Sequence, residues 1–124
     1  MADGFVPGSF TIDGYGAGGF QFAGMSHRGS ILALPDGIQA WSPKVPSEIT
    51  PQSLQALLDL PAGSVELLII GTGADLVPAS PSLREALRNM GIRCDAMATG
   101  AAVSTYNILL GERRRVAAAF LAAP

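Results

Sequence analysis

The residues of this chain best suited to chemistry begin at Gly71-Thr72-Gly73, which closes the apolar run Val65-Glu66-Leu67-Leu68-Ile69-Ile70. Small residues after a strand let backbone N–H groups approach an anion, and a helix N-terminus would add its dipole. The flanking pattern departs from the familiar phosphate loops. Position 76 is Leu rather than Gly, and no Gly-Lys-Ser/Thr follows. The next helix signal, Ser80-Pro81, comes too late for a dinucleotide turn. The loop therefore reads as a strand exit or as one wall of a pocket. Thr99-Gly100 follows a second strand-like run, and its loop is expected on the same sheet edge. Thr105, Tyr106 and Asn107 come next, with Asn107 on or near an apolar helix face. A buried Asn must satisfy both donor and acceptor groups. It either ties a loop backbone to the helix or points into a shallow pocket. The candidate pocket set is Gly71, Thr72, Gly73, Asp75, Thr99, Gly100, Thr105, Tyr106 and Asn107.

No catalytic constellation accompanies that set. Asp75 and Asp95 are the carboxylates nearest the expected edge, and Asp75 reads as a solvated loop or capping residue. His27, the single histidine, lies in Ser26-His27-Arg28-Gly29, which reads as a polar surface turn. One His and one Cys give no recognisable metal spacing, so neither metal nor cofactor is expected. Cys94 sits in an apolar alternation and reads as a small core residue. Arg113-Arg114-Arg115 follows a helix end, where cations suit the dipole, and Glu112 partly neutralises it.

The elements that must position these residues change period halfway along the chain. Ser9-Phe10-Thr11-Ile12-Asp13 and Phe20-Gln21-Phe22 alternate and flank a glycine-rich stretch, predicting a loose hairpin. Ser30 to Leu34 is a stronger strand. Pro35-Asp36-Gly37 is a turn in which Gly is expected to take a left-handed position, and Ile38 to Trp41 returns antiparallel. Thr50-Pro51 opens a helix with Ile49 and Leu54 spaced as a staple. Ser80-Pro81 opens a second, with Ser82 and Glu85 as an alternative capping box and Gly91 as its C′ residue. Ile92 to Met97 is a strand, a third helix runs from about Ala101 to Leu110, and Val116 to Leu121 is a last strand.

Strand-helix-strand-helix-strand makes two right-handed βαβ crossovers. The predicted architecture is a three-layer α/β single domain over 1–124. Its central sheet is mostly parallel, with helices packed on it and an N-terminal antiparallel β-hairpin layer that extends the sheet or forms a second one. Residues 1–8 read as a flexible segment. The aromatics Phe5, Phe10, Tyr15, Phe20 and Phe22 gather in the first strands, as the core of that second layer or as an interaction face.

Composition narrows the partners. The 124 residues are 48% hydrophobic and only 15% charged, which leaves room for an apolar contact surface such as a homodimer patch. A net charge of −2 points away from nucleic acid and anionic membranes. No apolar run reaches the roughly 20 residues that span a bilayer. Met1-Ala2-Asp3-Gly4 reads as neither signal nor transit peptide, so the expected compartment is the cytoplasm.

Three segments together resemble a known family. They are Leu68 to Gly73, then Ala98-Thr99-Gly100-Ala101-Ala102, then Ser104-Thr105-Tyr106-Asn107-Ile108-Leu109 with Glu112-Arg113-Arg114-Arg115-Val116. They resemble the small α/β domain family that includes the mitochondrial complex I alpha-subcomplex assembly factor, the adipogenesis-associated domain protein and bacterial members of unknown function. The resemblance covers nearly the whole chain, and the Thr-Tyr-Asn segment is its most specific part. It implies the three-layer fold and, from the eukaryotic members, a role in assembling a respiratory complex. The leading expectation is a non-enzymatic binding or assembly module with a protein partner. The alternative is a small-molecule-binding enzyme with its pocket at the carboxyl edge of the parallel sheet.

Overall fold

The computed structural model describes residues 6–124, so Phe5 and most of the segment expected to be flexible lie outside the described residues. The elements in chain order are β1 (Val6–Pro7), β2 (Gly14–Gly16), β3 (Gly19–Phe22), β4 (Met25–Arg28), β5 (Ile31–Leu34) and β6 (Gly37–Ala40). A short helical stretch ends in α1 (Gln55–Leu58). Then come β7 (Leu67–Gly71), α2 (Pro81–Asn89), β8 (Arg93–Met97), α3 (Thr99–Gly111) and β9 (Val116–Phe120).

A six-stranded sheet runs in the order β1-β6-β5-β9-β7-β8. β7 pairs parallel to β8 and to β9, as the two crossovers require, while β9 pairs antiparallel to β5. The sheet is thus mixed, with a parallel half joined through β9 to an antiparallel hairpin half. β2-β3-β4 form a separate antiparallel sheet. Both expectations for the amino-terminal hairpins are met: one extends the main sheet, the other makes a second layer.

Period-two alternation sorts the central strands into two cores. Leu32, Leu34, Leu68, Ile70, Ala117 and Ala119 face one side, where Leu54, Leu57, Leu83 and Leu87 of the helical layer cover them. Ile31, Ala33, Leu67, Ile69, Val116 and Ala118 face the other, covered by Val103 and Tyr106 of α3 and by Phe20 and Phe22 of the small sheet. Every position of β5, β7 and β9 is buried. Each fully buried Leu, Ile or Phe is worth about 1.5–3 kcal/mol over its exposed state.

Helix ends follow local chemistry. Ser80 caps α2, its Oγ accepting Leu83 N–H at 3.3 Å, so this residue rather than Ser82 carries the cap. At the other end Gly91 N–H donates to Arg88 O and Ile92 N–H to Leu87 O, with Gly91 at φ +74°. The first predicted helix is only one 3-10 turn and one α turn, although Thr50 and Ser53 cap each other as its start signal implies.

Four local readings are corrected. Ser9 to Asp13 is not a strand: Asp13 N–H reaches β3 at Gln21 O, but side chains take both backbone groups of Ile12 and the carbonyl of Phe10, as described below. The hairpin partner of β3 is instead Gly14–Gly16. Ser26-His27-Arg28 is not a turn but β4, with His27 directly opposite Phe20. Its turn, Ala23-Gly24, has φ of +52° and +73°, and Ala17-Gly18 has +51° and +81°. Such two-residue turns match strand twist, but the Ala in each hides the signal. Gly37 is not left-handed; it opens β6 in ordinary strand conformation. Thr99-Gly100 is not a loop but the first turn of α3, which starts earlier than expected because Ala98 gives no capping signal.

Candidate functional site

The carboxyl end of β7 is a junction of three elements. Gly71 is demanded by close approach: a Cβ there would sit 3.0 Å from Thr99 Oγ1 and 3.1 Å from the Phe120 ring. Thr99 is fully buried and joins all three elements. Its hydroxyl donates to Leu121 O at 2.7 Å and accepts from Gly73 N–H at 2.9 Å. Its own N–H donates to Gly73 O, and Leu121 N–H donates to Gly71 O. One hydroxyl thereby ties the end of β7, the start of α3 and the end of β9 together.

Thr72 organises the loop beyond. Its hydroxyl donates to Asp75 O at 2.6 Å and accepts from Val77 N–H at 3.0 Å, while its N–H donates to Met97 O. Asp75 contributes its carbonyl; the residue itself is exposed. Gly73 has φ +92°, the one position of this loop that needs a left-handed glycine.

The remaining candidates turn to the other side of the sheet. Asn107 accepts from Ile12 N–H at 2.8 Å through Oδ1 and donates to Ile12 O at 2.8 Å through Nδ2. Its amide takes the place of a strand partner at Ile12. The Tyr106 hydroxyl donates to Phe10 O at 3.3 Å, and its ring stands edge-on to Phe120 with centroids 5.6 Å apart. Burial pushes the Tyr106 phenol from 10 up to about 12. Thr105 Oγ1 donates to Met97 Sδ at 3.4 Å. Gly100 leaves space taken by the Tyr15 ring and hydroxyl.

A cavity of about 610 Å³ does lie at the carboxyl end of β7, between the segment 46–50, the loop 72–80 and the start of α2. Of the nine candidates only Thr72 lines it. Ile49, Ile70, Val77, Ser80 and Leu83 are among the other walls. Sequence reading missed these residues; the Ser-Thr-Pro runs at 46–51 and 77–82 were the available signal, taken only as helix starts. No lining side chain is ionisable. Hydroxyls of Ser and Thr are the polar side chains of its wall.

Elsewhere, Arg114 pairs with Glu66 at 2.8 Å and Arg115 lies 3.6 Å from the same carboxylate. The Arg114 hydrogen bond holds the Glu66 carboxyl below its usual range. The arginine run is therefore a clamp on the start of β7. Among the described residues no group of His, Cys, Asp and Glu is placed to hold a metal ion. No helix of the described residues is long and apolar enough to cross a membrane.

A family model described as a protein of unknown function (DUF498/DUF598) matches residues 12–121. An uncharacterised protein of Rhodobacter capsulatus is 39% identical over 117 residues, which is 94% of this chain and 88% of that protein. NADH dehydrogenase [ubiquinone] 1 alpha subcomplex assembly factor 3 of Danio rerio is 33% identical over 92% of this chain, which spans 65% of the assembly factor's length. A solved structure described as an outer membrane protein from Bartonella henselae superposes with a TM-score of 0.90 at 44% identity, over 95% of this chain and 98% of that one.

Proposed function

The chain belongs to the DUF498/DUF598 family, and from that premise we propose that it is a non-enzymatic protein-binding module acting in the assembly of a larger complex. The observation that carries this reading is the state of the carboxyl edge. Catalysis in an open α/β sheet is usually sited there. Here the candidate hydroxyls and amide hold the backbone together, and the adjoining cavity has no ionisable wall. A relative named as an assembly factor of the NADH dehydrogenase alpha subcomplex supports the choice of a respiratory complex as the assembly.

Deleting the gene in the organism that encodes the protein tests this. The expected result is loss of fully assembled NADH dehydrogenase on native gels, with partial complexes accumulating and the wild-type gene restoring assembly. Normal assembly in the deletion strain would overturn the reading. A thermal-shift screen against nucleotides and common metabolites is expected to show no stabilisation. A ligand present at one hundred times its dissociation constant would add about 2.7 kcal/mol and contradict it.

A further inference from the structure

β8 is the outermost strand on the parallel side of the main sheet, so one side of its backbone pairs with nothing among the described residues. The register shows which groups are open. Arg93 N–H donates inward to Glu66 O, and the parallel ladder alternates by two residues. Cys94 and Ala96 therefore present their N–H and C=O groups outward. Natural sheets usually protect such an edge with charge or cover. Here the flanking charge on the α2 side is mostly positive, two arginines with Glu85. Arg84 and Arg88 of α2 stand one helical turn apart and, with Arg93, Cys94 and Asp95, line a depression of about 310 Å³ along the edge. Cys94 and Ala96 pack toward the α2 side and Met97 toward the other. Arg93 and Asp95 alternate with the former pair, so they share the far face and offset each other there. Arg84 and Arg88 share a neighbouring depression with Glu85, which offsets one of the two charges, so α2 brings a net single positive charge to the edge. The ion pairs among the described residues are those of Glu66 with Arg114 and Arg115, and neither Arg84 nor Arg88 enters one. Both guanidiniums are close enough to oppose the upward push of burial on the Cys94 thiol.

Two arginines at i and i+4 repel one another on an isolated helix. Both are exposed, so neither is held there by packing. An unpaired strand edge together with a depression lined by three arginines against one aspartate defines the shape and charge of what fits. We infer that the β8 edge is a docking site for an extended segment of a partner protein, one that adds to the sheet as a further strand. Carboxylates at alternate positions of that segment would face Arg84 and Arg88, and its other face would be neutral. This is β-strand addition with charge selecting the face. It rests on the protein-binding reading above and names the surface and the kind of partner. A second copy of this chain fits less well, because edge-to-edge pairing would bring two arginine ridges together.

The probe is a capped peptide alternating glutamate and valine, with a lysine-valine analogue and an N-methylated glutamate-valine analogue that cannot pair along one edge. Titration followed by amide NMR and hydrogen exchange is expected to protect Cys94 and Ala96 N–H with the first peptide and not with the other two. Arg84→Glu combined with Arg88→Glu is expected to weaken binding by at least about tenfold and to steepen no salt dependence, since a rim charge pair is lost. Protection that is equal for the lysine peptide, or absent with the glutamate peptide, overturns the inference. So does a concentration-dependent dimer that protects these amides without peptide. In the deletion strain, the double variant should fold but fail to restore assembly. Full restoration by the variant overturns the docking site while leaving the assembly reading in place; absence of any deletion phenotype overturns the assembly reading whatever the peptide does.

Discussion

The carboxyl end of β7 and the outer edge of β8 lie one strand apart and treat their polar groups in opposite ways. At the first, Thr72, Thr99 and, across the sheet, Asn107 are satisfied by backbone atoms of this same chain. At the second, two guanidiniums and a line of peptide groups are left for something else. The hydroxyls and the amide that look like an active site in the sequence are thus engaged with this chain's own backbone. The residues that look like ordinary surface are the ones with unmet capacity. Polarity by itself does not mark a site; polarity without a partner does.

Removing the buried junction should hurt most. Thr99→Val keeps the shape but strands Leu121 O and Gly73 N–H, each costing about 1–3 kcal/mol, so a loss near 3 kcal/mol is expected in urea unfolding with the slope unchanged. A change below 1 kcal/mol would mean that the two groups are not truly dependent on that hydroxyl. Asn107→Ala should cost about 2 kcal/mol by freeing both groups of Ile12. Hydrogen exchange at Ile12 should rise in that variant, and an unchanged rate would contradict the strand-partner role.

Gly71→Ala pushes a methyl against Thr99 and Phe120 and should cost about 1–3 kcal/mol, read as a lower melting temperature. Tyr106→Phe should matter little at neutral pH, since the bond it removes is long. Its effect lies in alkali. A phenol raised from 10 to about 12 gives stability that is full below pH 10 and is lost as pH rises through about 12. The variant should flatten that alkaline decline, and an identical decline in both proteins would assign it to another group. Arg84→Ala with Arg88→Ala should change stability by less than about 0.5 kcal/mol, because exposed residues without partners contribute little. A large loss there would erase the contrast between the two regions.

Much of the frame was legible in the sequence. The unbroken apolar run at Leu67 to Ile70, the Ser80 cap and the Gly91 stop each have one physical meaning, and the structure has them. What stayed hidden shares a cause. β4 has polar residues and a turn led by Ala23, so neither its period nor its turn stands out. Ser9 to Asp13 alternates like a strand yet pairs with Asn107, a contact across most of the chain that no local pattern encodes. The cavity beside α2 is assembled from three separate segments for the same reason. Arg84 and Arg88 were visible as a like-charged pair one turn apart. Only the sheet order reveals that an open strand runs beside them.

The position of β9 has a consequence for biosynthesis. It is the last strand in chain order among the described residues, yet it lies between β5 and β7 and joins the antiparallel half of the sheet to the parallel half. While the ribosome still holds those residues, β5 and β7 each face an empty place, with the backbone groups of Ile31 to Ala33 and Leu67 to Gly71 that pair with β9 unmet. The sheet is therefore completed after translation has passed Phe120, and until then β5 and β7 each keep an open edge.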